Sequence, residues 1–294
     1  MRWYIATLYW LMRLAGRLPL PVLHRLGAAL GTVLNATDNR LRRIADVNLA
    51  LVITHFGTET RHSLRKSTLR EFGKSVFELC KIWSGNPQAA LGLVREVEGA
   101  ALFDAALAQK SGVIIAAPHL GCWELLNFWL CSRAPIAVAY RPPRQPALEP
   151  LLVRARGALA AEQVRAEGAS GVRTLLRKLS SGGVIGILPD QQPKQGEGEF
   201  APFFGVPALT MVLLSRLAQR TGATVLFAFA DRLADGAGYR IRFLAAPDGI
   251  SDIDLPNAVA ALNRGVEDCV RLAPAQYQWH YKRFQYRPGL PKRY

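Results

Sequence analysis

Short apolar runs alternate with helical stretches over most of the chain, and this alternation limits the possible folds more than any other feature. Five runs have the length and composition of buried strands: 113–117, 136–140, 183–188, 224–230 and 239–244. Stretches with helical apolar spacing accompany them: 101–108, 123–131, 148–160, 171–179, 210–219 and 256–272. Such alternation predicts an α/β fold, with a mixed, largely parallel sheet flanked by helices.

The region before residue 92 is different, because its apolar spacing is helical throughout. This spacing recurs over 41–52 and 64–83, and no strand pattern interrupts it. With 294 residues, 50% of them hydrophobic, the chain can bury the core of one large domain plus an appendage. We expect a membrane-associating amino-terminal segment at 1–37 and an α/β domain at 38–294.

The first 37 residues contain four arginines, one histidine and no acidic residue. Arg13 and Arg17 interrupt the apolar run after about ten residues, whereas a spanning helix needs about twenty, so a simple span is not expected. The same arginines and the lack of a small-residue cleavage site also argue against a secretory signal peptide. The mixture of Trp, Tyr and Arg favours an interfacial helix on an anionic membrane. An amphipathic helix packed on the core, or a tilted hairpin-like insertion of 3–37, are the alternatives.

A formal net charge of +15 predicts attraction to an acidic partner. The sequence has no zinc-finger spacing, RNA-binding aromatic motif or basic zipper, so nucleic acid is not the expected partner and a membrane surface is favoured. The four cysteines form no Cys-x-x-Cys pair, which predicts reduced thiols and no metal site. Cys122 has no base of its own in any motif, and we expect it to pack rather than to react.

His119 and Glu124 follow the first predicted strand and lie five residues apart around Gly121. In a regular helix they would be about 140° apart, so His119 must precede the helix for the two side chains to meet. We expect Glu124 to hold one ring nitrogen while the other takes a proton from a hydroxyl. Backbone amides around Gly121 are candidate oxyanion donors. A hydrogen-bonded structural histidine is the alternative interpretation.

Two other segments follow predicted strands and should meet the same edge of the sheet, because ligands bind beyond the carboxyl ends of strands in such folds. Arg141 follows the run 136–140, and an arginine there can bind phosphate with two hydrogen bonds. The long polar loop 189–205 follows the run 183–188. Arg144 and Arg154 are further candidates for phosphate binding, but they could equally be solvated surface residues.

Five motifs in this order resemble those of the lipid A biosynthesis acyltransferases, the lauroyl and myristoyl transferases of the lysophospholipid acyltransferase superfamily. They are His119-Leu-Gly-Cys-Trp-Glu124, Tyr140-Arg141-Pro-Pro, Pro189-Asp190-Gln191, Pro202-Phe-Phe-Gly205 and Lys282-Arg283-Phe284. The resemblance covers most of the chain. It implies transfer of a fatty acyl chain from an acyl-carrier-protein thioester to a hydroxyl of a lipid A precursor or similar glycolipid. It places the enzyme on the cytoplasmic face of the bacterial inner membrane and calls for no cofactor.

The resemblance also assigns residues. His119 and Glu124 match the superfamily's His-x4-acid motif, which implies direct attack of the acceptor hydroxyl without a covalent enzyme intermediate. Asp190 and Gln191 match an Asp-Gln element, and we expect them to shape the rim of the site through hydrogen bonds; a metal role for Asp190 has little support. Arg156 resembles a further substrate-binding position. Phe203, Phe204 and Gly205 are expected to wall the acyl or acceptor groove, although aromatic residues there are often simply core.

Three alternatives to a lipid A acceptor or to acyl transfer remain open. A related acyltransferase could use another glycolipid, an aminolipid or a polyene headgroup, and Gln192, where a second acid is expected, departs from the family pattern. A hydrolase could use His119 to activate water on a thioester. A membrane-bound scaffold could keep the fold without catalysis, but intact His119 and Glu124 argue against it. The basic tail, which includes Lys282 and Arg283, is either a solvated charge run or a seat for the carrier protein or membrane.

Overall fold

The computed structural model describes residues 3–84, 86–140, 161–165 and 168–294, and within them a seven-stranded sheet forms the centre of the fold. Its order is β1-β9-β8-β2-β5-β3-β4, and β6 and β7 form a separate two-stranded hairpin. The strands are β1 (Val94–Glu98), β2 (Val113–Ala116), β3 (Ile136–Tyr140), β4 (Glu162–Arg165), β5 (Val184–Ile187), β6 (Gly198–Phe203), β7 (Val206–Met211), β8 (Thr224–Arg232) and β9 (Tyr239–Ala245).

The prediction of a mixed, largely parallel sheet is confirmed. Among the described strands of this sheet, β8 and β9 pair in antiparallel fashion, and every other pairing is parallel. The central strands β2 and β5 are buried along their whole length, which explains their continuous apolar sequences. The two strands of this sheet that the sequence pattern does not predict, β1 and β4, lie at its two edges and carry exposed charged residues.

Helices flank the sheet, and those predicted within the described residues are present. They are α1 (Trp3–Ala15), α2 (Leu20–Ala36), α3 (Arg40–Val52), α4 (Arg61–Ser84), α5 (Pro87–Leu91), α6 (Ala100–Gln109), α7 (Trp123–Arg133), α8 (Gly168–Ser180), α9 (Leu213–Thr221) and α10 (Leu255–Leu272). Asn39 caps α3 by accepting a hydrogen bond from the backbone N–H of Arg42. The helix predicted at 148–160 lies outside the described residues.

The helices α2 and α4 cross in backbone contact at glycines. A Cβ added to Gly31 would lie 2.1 Å from the carbonyl oxygen of Leu69, and one added to Gly73 would lie 1.9 Å from the carbonyl oxygen of Gly27. Any larger residue would force the two helices apart. The helix α2, which lies within the segment 1–37, is therefore packed closely on α4.

The helix α1 presents apolar side chains to the outside. Trp10 is 62% exposed, and Leu11 and Leu14 are about half exposed, with Arg13 and Arg17 exposed beside them. Within the described part of the chain, no helix combines the length and apolarity needed to cross a bilayer. Association of this segment with a membrane surface stays a prediction.

The region predicted as the loop 189–205 forms a loop only as far as β6, and then enters the β6–β7 hairpin. Phe204 and Gly205 form its two-residue turn with φ of 48° and 73°, the left-handed conformation that such tight turns require. Phe203 and Phe204 are fully buried in a cluster of aromatic rings that includes Trp279. The structure gives these two rings a packing role, and a place along a substrate groove stays a prediction.

Candidate active site

The strands β2 and β5 are parallel neighbours, and the chain leaves both at the same edge of the sheet. Ala116 at the end of β2 faces Ile187 at the end of β5, and the backbone N–H of Ala117 still donates to the carbonyl of Ile187 at 2.8 Å. His119 and Asp190 follow immediately on these two strands. The sheet therefore brings together two residues that are 71 positions apart in the sequence.

The carboxylate of Asp190 binds His119 with both of its oxygens. Oδ1 lies 2.8 Å from the ring Nδ1 of His119, and Oδ2 accepts the backbone N–H of the same residue at 3.0 Å. The Asp190 side chain is 3% exposed and that of His119 is 15% exposed. The imidazole is thus fixed in position, with one face still reachable from outside.

The local electrostatics keep Asp190 charged. Burial by itself would raise the pKa of Asp190, but the charge of His119, hydrogen bonds from that residue's side chain and backbone, and the charge of Arg283 together lower it. A carboxylate on Nδ1 favours the tautomer with the proton on that nitrogen, which leaves a lone pair on Nε2. His119 is therefore arranged as a proton acceptor through Nε2.

Gln191 occupies the other side of the ring. Its side-chain Nε2 lies 3.1 Å from Nε2 of His119, so the amide can donate a hydrogen bond to the lone pair. A substrate hydroxyl that reached His119 would take the place of this amide. The predicted Asp-Gln element thus supplies a hydrogen-bond partner for each of the two ring nitrogens of His119.

Glu124 is buried in the first turn of α7, as its position in the sequence predicted. Nδ1 of His119, however, is occupied by Asp190, which the sequence motif predicts only at the rim of the site. The orienting contact from Glu124 to His119 stays a prediction. The missed signal was the parallel pairing of two buried strands, each followed by one of the two partners.

Gly121 is required by the tight turn before α7. It has a φ of 62°, and a Cβ there would lie 2.0 Å from the carbonyl oxygen of Ala230. Its backbone N–H is already donated to the carbonyl of Gln276 at 3.3 Å. The neighbouring amides of His119, Leu120 and Cys122 also donate within the chain. The N–H of Gly121 itself is therefore engaged within the chain, and a role of the backbone amides around Gly121 as oxyanion donors stays a prediction.

A buried ion pair braces the same turn. Arg232 at the end of β8 donates from Nη2 to the carbonyl of Gly121 at 2.9 Å and to Oε1 of Glu78, on α4, at 2.5 Å. Tyr239 donates its hydroxyl proton to the same carboxylate at 2.8 Å. Burial would raise the pKa of Glu78, but Arg232 and His24 outweigh it and lower the value to about 2. This cluster connects the helical region to the turn that holds His119.

The carboxyl-terminal segment braces both loops of the site. Gln278 donates its backbone N–H to the carbonyl of His119 at 3.2 Å, and Gln192 donates its own to the hydroxyl of Tyr281 at 3.0 Å. Arg283, predicted as part of a basic tail, is 1% exposed and donates to the carbonyl of Leu209 at 2.6 Å. Arg283 therefore holds the core together and is not part of a solvated charge run.

Cys122 is buried beside the pair of Glu78 and Arg232. Burial and the charge of Glu78 raise the pKa of the Cys122 thiol well above its usual range. The thiol stays protonated, which suits a packing role. In the part of the chain that the structure describes, no three His, Cys, Asp or Glu side chains converge on a possible metal position. Arg141 and Arg156 lie outside the described residues.

The sequence as a whole matches a known class of enzyme, the acyltransferases. The chain belongs to the bacterial lipid A biosynthesis acyltransferase family, whose model matches residues 1–286. It is 29% identical over 290 residues to the lipid A biosynthesis palmitoleoyltransferase of Escherichia coli K12. This similarity covers 97% of this chain and 91% of that protein. The lauroyltransferase of the same organism is 28% identical over 296 residues, covering 97% and 95%. The predicted family resemblance is confirmed.

A more distant similarity extends to another glycolipid pathway. A phosphatidylinositol mannoside acyltransferase of Mycobacterium tuberculosis H37Rv is 26% identical over 244 residues, covering 79% of this chain and 73% of that protein. Both groups of relatives are acyltransferases named for glycolipid acceptors.

Proposed function

We propose that this protein transfers a fatty acyl chain from an acyl-carrier-protein thioester to a hydroxyl of a lipid A precursor or a similar glycolipid. The observation that carries the proposal is the contact between His119 and the buried carboxylate of Asp190, in a chain of the lipid A acyltransferase family. Such a pair provides a general base at the carboxyl ends of β2 and β5, where ligands bind in sheets of this kind.

The reaction requires one proton acceptor and no covalent enzyme intermediate. Nε2 of His119 takes the proton of the acceptor hydroxyl as its oxygen attacks the thioester carbonyl, and Asp190 stabilises the imidazolium that forms. The tetrahedral intermediate collapses with cleavage of the carbon–sulfur bond, and the imidazolium returns the proton to the departing thiolate. Gln191 gives way to the hydroxyl at Nε2. Glu124 is the second proposed carboxylate of the site, at the start of α7.

We propose that the donor's acyl chain lies on apolar surface beside this base. The ring of Trp123 lies 5.3 Å from that of His119 and lines a narrow crevice of about 30 Å³ between α7 and the sheet. Apart from the amide of Asn127, the side chains that line it are apolar or absent: Ile115, Ala117, Trp123, Leu126, Leu130, Ile136, Val138, Gly186 and Leu188. The crevice itself has room for little more than a methyl group, so we propose that the alkyl chain lies along the apolar surface at its mouth.

We further propose that the protein acts on the cytoplasmic face of the inner membrane through α1. Exposed Trp10, Leu11 and Leu14 offer apolar contact, and Arg13 and Arg17 offer positive charge to anionic phosphates. The net charge of +15 supports the same orientation and also suits an acidic carrier protein.

A different glycolipid acceptor is the second candidate, because the mycobacterial relatives are named for a phosphatidylinositol mannoside. The same base and the same donor would serve both reactions. The acceptor is best identified by mass spectrometry of membrane lipids from cells with and without the gene, since the missing acyl chain reveals both the acceptor and the chain length.

The proposed activity is tested with the purified full-length protein, a radiolabelled acyl-carrier-protein thioester and a lipid A precursor. We expect label to move to the lipid, and H119A to lower turnover by about 10² to 10⁴, the range for loss of a general base. H62A, which changes an exposed histidine on α4, is the matched control and should keep the parent rate. Release of free fatty acid at full rate without acceptor would identify a hydrolase instead.

A further inference from the structure

A pocket of about 670 Å³ opens beside Gln191, and it shares no lining residue with the apolar crevice. The start of α3, the loop after β5 and the carboxyl-terminal segment form its walls. Its described lining residues are Arg40, Leu41, Ile44, Gln191, Gln192, Pro193, Lys194, His280, Tyr281, Lys282, Gln285 and Tyr286. Because Gln191 contacts His119 at 3.1 Å, the pocket reaches within one side chain of the base.

The charge of this pocket has one sign. Arg40, Lys194 and Lys282 bring three positive groups to it, and none of the described lining residues is acidic. Within the described ranges, none of these three cations has a carboxylate within ion-pair distance, unlike Arg65 or Arg232. Three cations that line one pocket without an acidic residue favour a multivalent anionic ligand.

His280 adds a polar group that the fold leaves unused. Its Nδ1 is buried and has no hydrogen-bond partner among the described residues, while its ring packs on Phe72 at a centroid distance of 4.3 Å. Burial, and then the charge of His119, lower the pKa of His280 to about 4, so it is neutral at pH 7. A buried polar atom without a partner costs stability, which a bound ligand can recover.

We propose that this pocket binds a phosphate group of one of the two substrates while the reacting atoms lie at His119. The proposal rests on the proposed acyl transfer and adds a recognition site to it. The phosphate has two possible sources: a phosphorylated sugar of the acceptor, or the phosphodiester of the donor's phosphopantetheine arm. Charge-assisted hydrogen bonds from Lys194, Lys282 and Arg40 would hold either group in the same way.

Binding is tested first without turnover. Full-length protein with ¹³C-labelled histidine is titrated with inorganic phosphate and observed by NMR, and the chain's five histidines are assigned through single variants such as H280N. We expect the His280 resonance to move with phosphate in the parent and to stay fixed in K194A/K282A. K66A, an exposed lysine on α4 outside the pocket, should behave as the parent. An unmoved His280 resonance in the parent would overturn the proposal, even if acyl transfer is observed.

Kinetics then identify the source of the phosphate. The donor is compared as acyl-phosphopantetheine and acyl-pantetheine, and the acceptor with and without its sugar phosphates. We expect K194A/K282A to lose about tenfold or more in kcat/KM for one phosphorylated substrate and nothing for its dephosphorylated form. If kcat/KM falls only for the phosphorylated donor, the phosphate comes from the phosphopantetheine arm. If it falls only for the phosphorylated acceptor, the phosphate comes from the sugar. Equal losses with and without phosphate, or no loss at all, would overturn the proposal, whereas absence of transfer by the parent would instead contradict the proposed function.

Discussion

His119 and Asp190 each lie three residues beyond positions that face each other in the sheet, Ala116 and Ile187. Because the two strands are parallel, equal displacements beyond a paired position bring the two side chains to the same height above the sheet edge. The contact of 2.8 Å between Nδ1 and Oδ1 follows from this register. The site is therefore positioned by the most deeply buried strands of the fold, β2 and β5.

The buried pair of Arg232 and Glu78 should matter for stability and for catalysis in different ways. Removing one partner, in E78A, should lower the free energy of unfolding by about 3–5 kcal/mol because a buried charge loses its counterion. Replacing both, in E78L/R232M, should restore part of that loss but still lower kcat, since the carbonyl of Gly121 no longer has the guanidinium as donor. Urea unfolding and steady-state kinetics measure the two effects.

The matched control for this pair is R240A, which breaks the solvent-accessible pair of Arg240 with Glu96 and should change the unfolding free energy far less than E78A does. A double variant E78L/R232M with the parent's kcat would show that the turn at Gly121 does not depend on Arg232.

Much of the fold could be predicted from the sequence because the central strands are continuous apolar runs. The edge strands β1 and β4 could not, since an edge strand exposed to water needs no such run. The local motif of His119 is enough to propose this residue as the base. The motif of Asp190 predicts only a place at the rim of the site. Its contact with His119 depends on the pairing of β2 with β5, and the local spacing of His119 and Glu124 carries no information about which strands are neighbours. The burial of Arg283 could not be predicted for a similar reason: a charged residue in a basic run is usually solvated, and its acceptors in β7 and α10 are distant in sequence.

The crossing of α2 and α4 should not tolerate a methyl group. G31A places a Cβ against the carbonyl of Leu69, so we expect a loss of about 1–3 kcal/mol in unfolding free energy through separation of the helices. G92A is the matched change, because Gly92 has a helical φ of −63° and its nearest neighbours would be 3.5 Å from the new Cβ. That control should be neutral or slightly stabilising. Equal stabilities of the two variants in urea unfolding would contradict close contact at this crossing.

Acid should destabilise the protein first through His280. Its pKa is about 4 in the folded state against 6.5 for an ordinary histidine, so the unfolded chain takes up this proton first as the pH falls. The corresponding stability is complete above pH 6.5 and is lost between 6.5 and about 4. Glu78, with a pKa of about 2 against 4.5, adds a second loss between about pH 4.5 and 2.

The variant H280N separates these two contributions. It should flatten the decline of unfolding free energy between pH 6.5 and 4.5, as measured by urea unfolding at several pH values, and leave the decline below pH 4.5 in place. H62N, at an exposed histidine, is the matched control for replacing an imidazole with an amide. An unchanged slope in H280N would mean that this imidazole does not stay neutral in the fold.

The central claim is that Asp190 orients His119 and stabilises its protonated form during acyl transfer. The most direct test is kcat for D190N, compared with E124Q as the same carboxylate-to-amide change at the other acid of the site. An amide of the same shape cannot stabilise an imidazolium, so D190N should lower kcat by about 10² to 10⁴ with little change in KM for either substrate, and by more than E124Q does. A D190N enzyme with near-parental kcat, beside an inactive E124Q, would contradict the account and return the orienting role to Glu124.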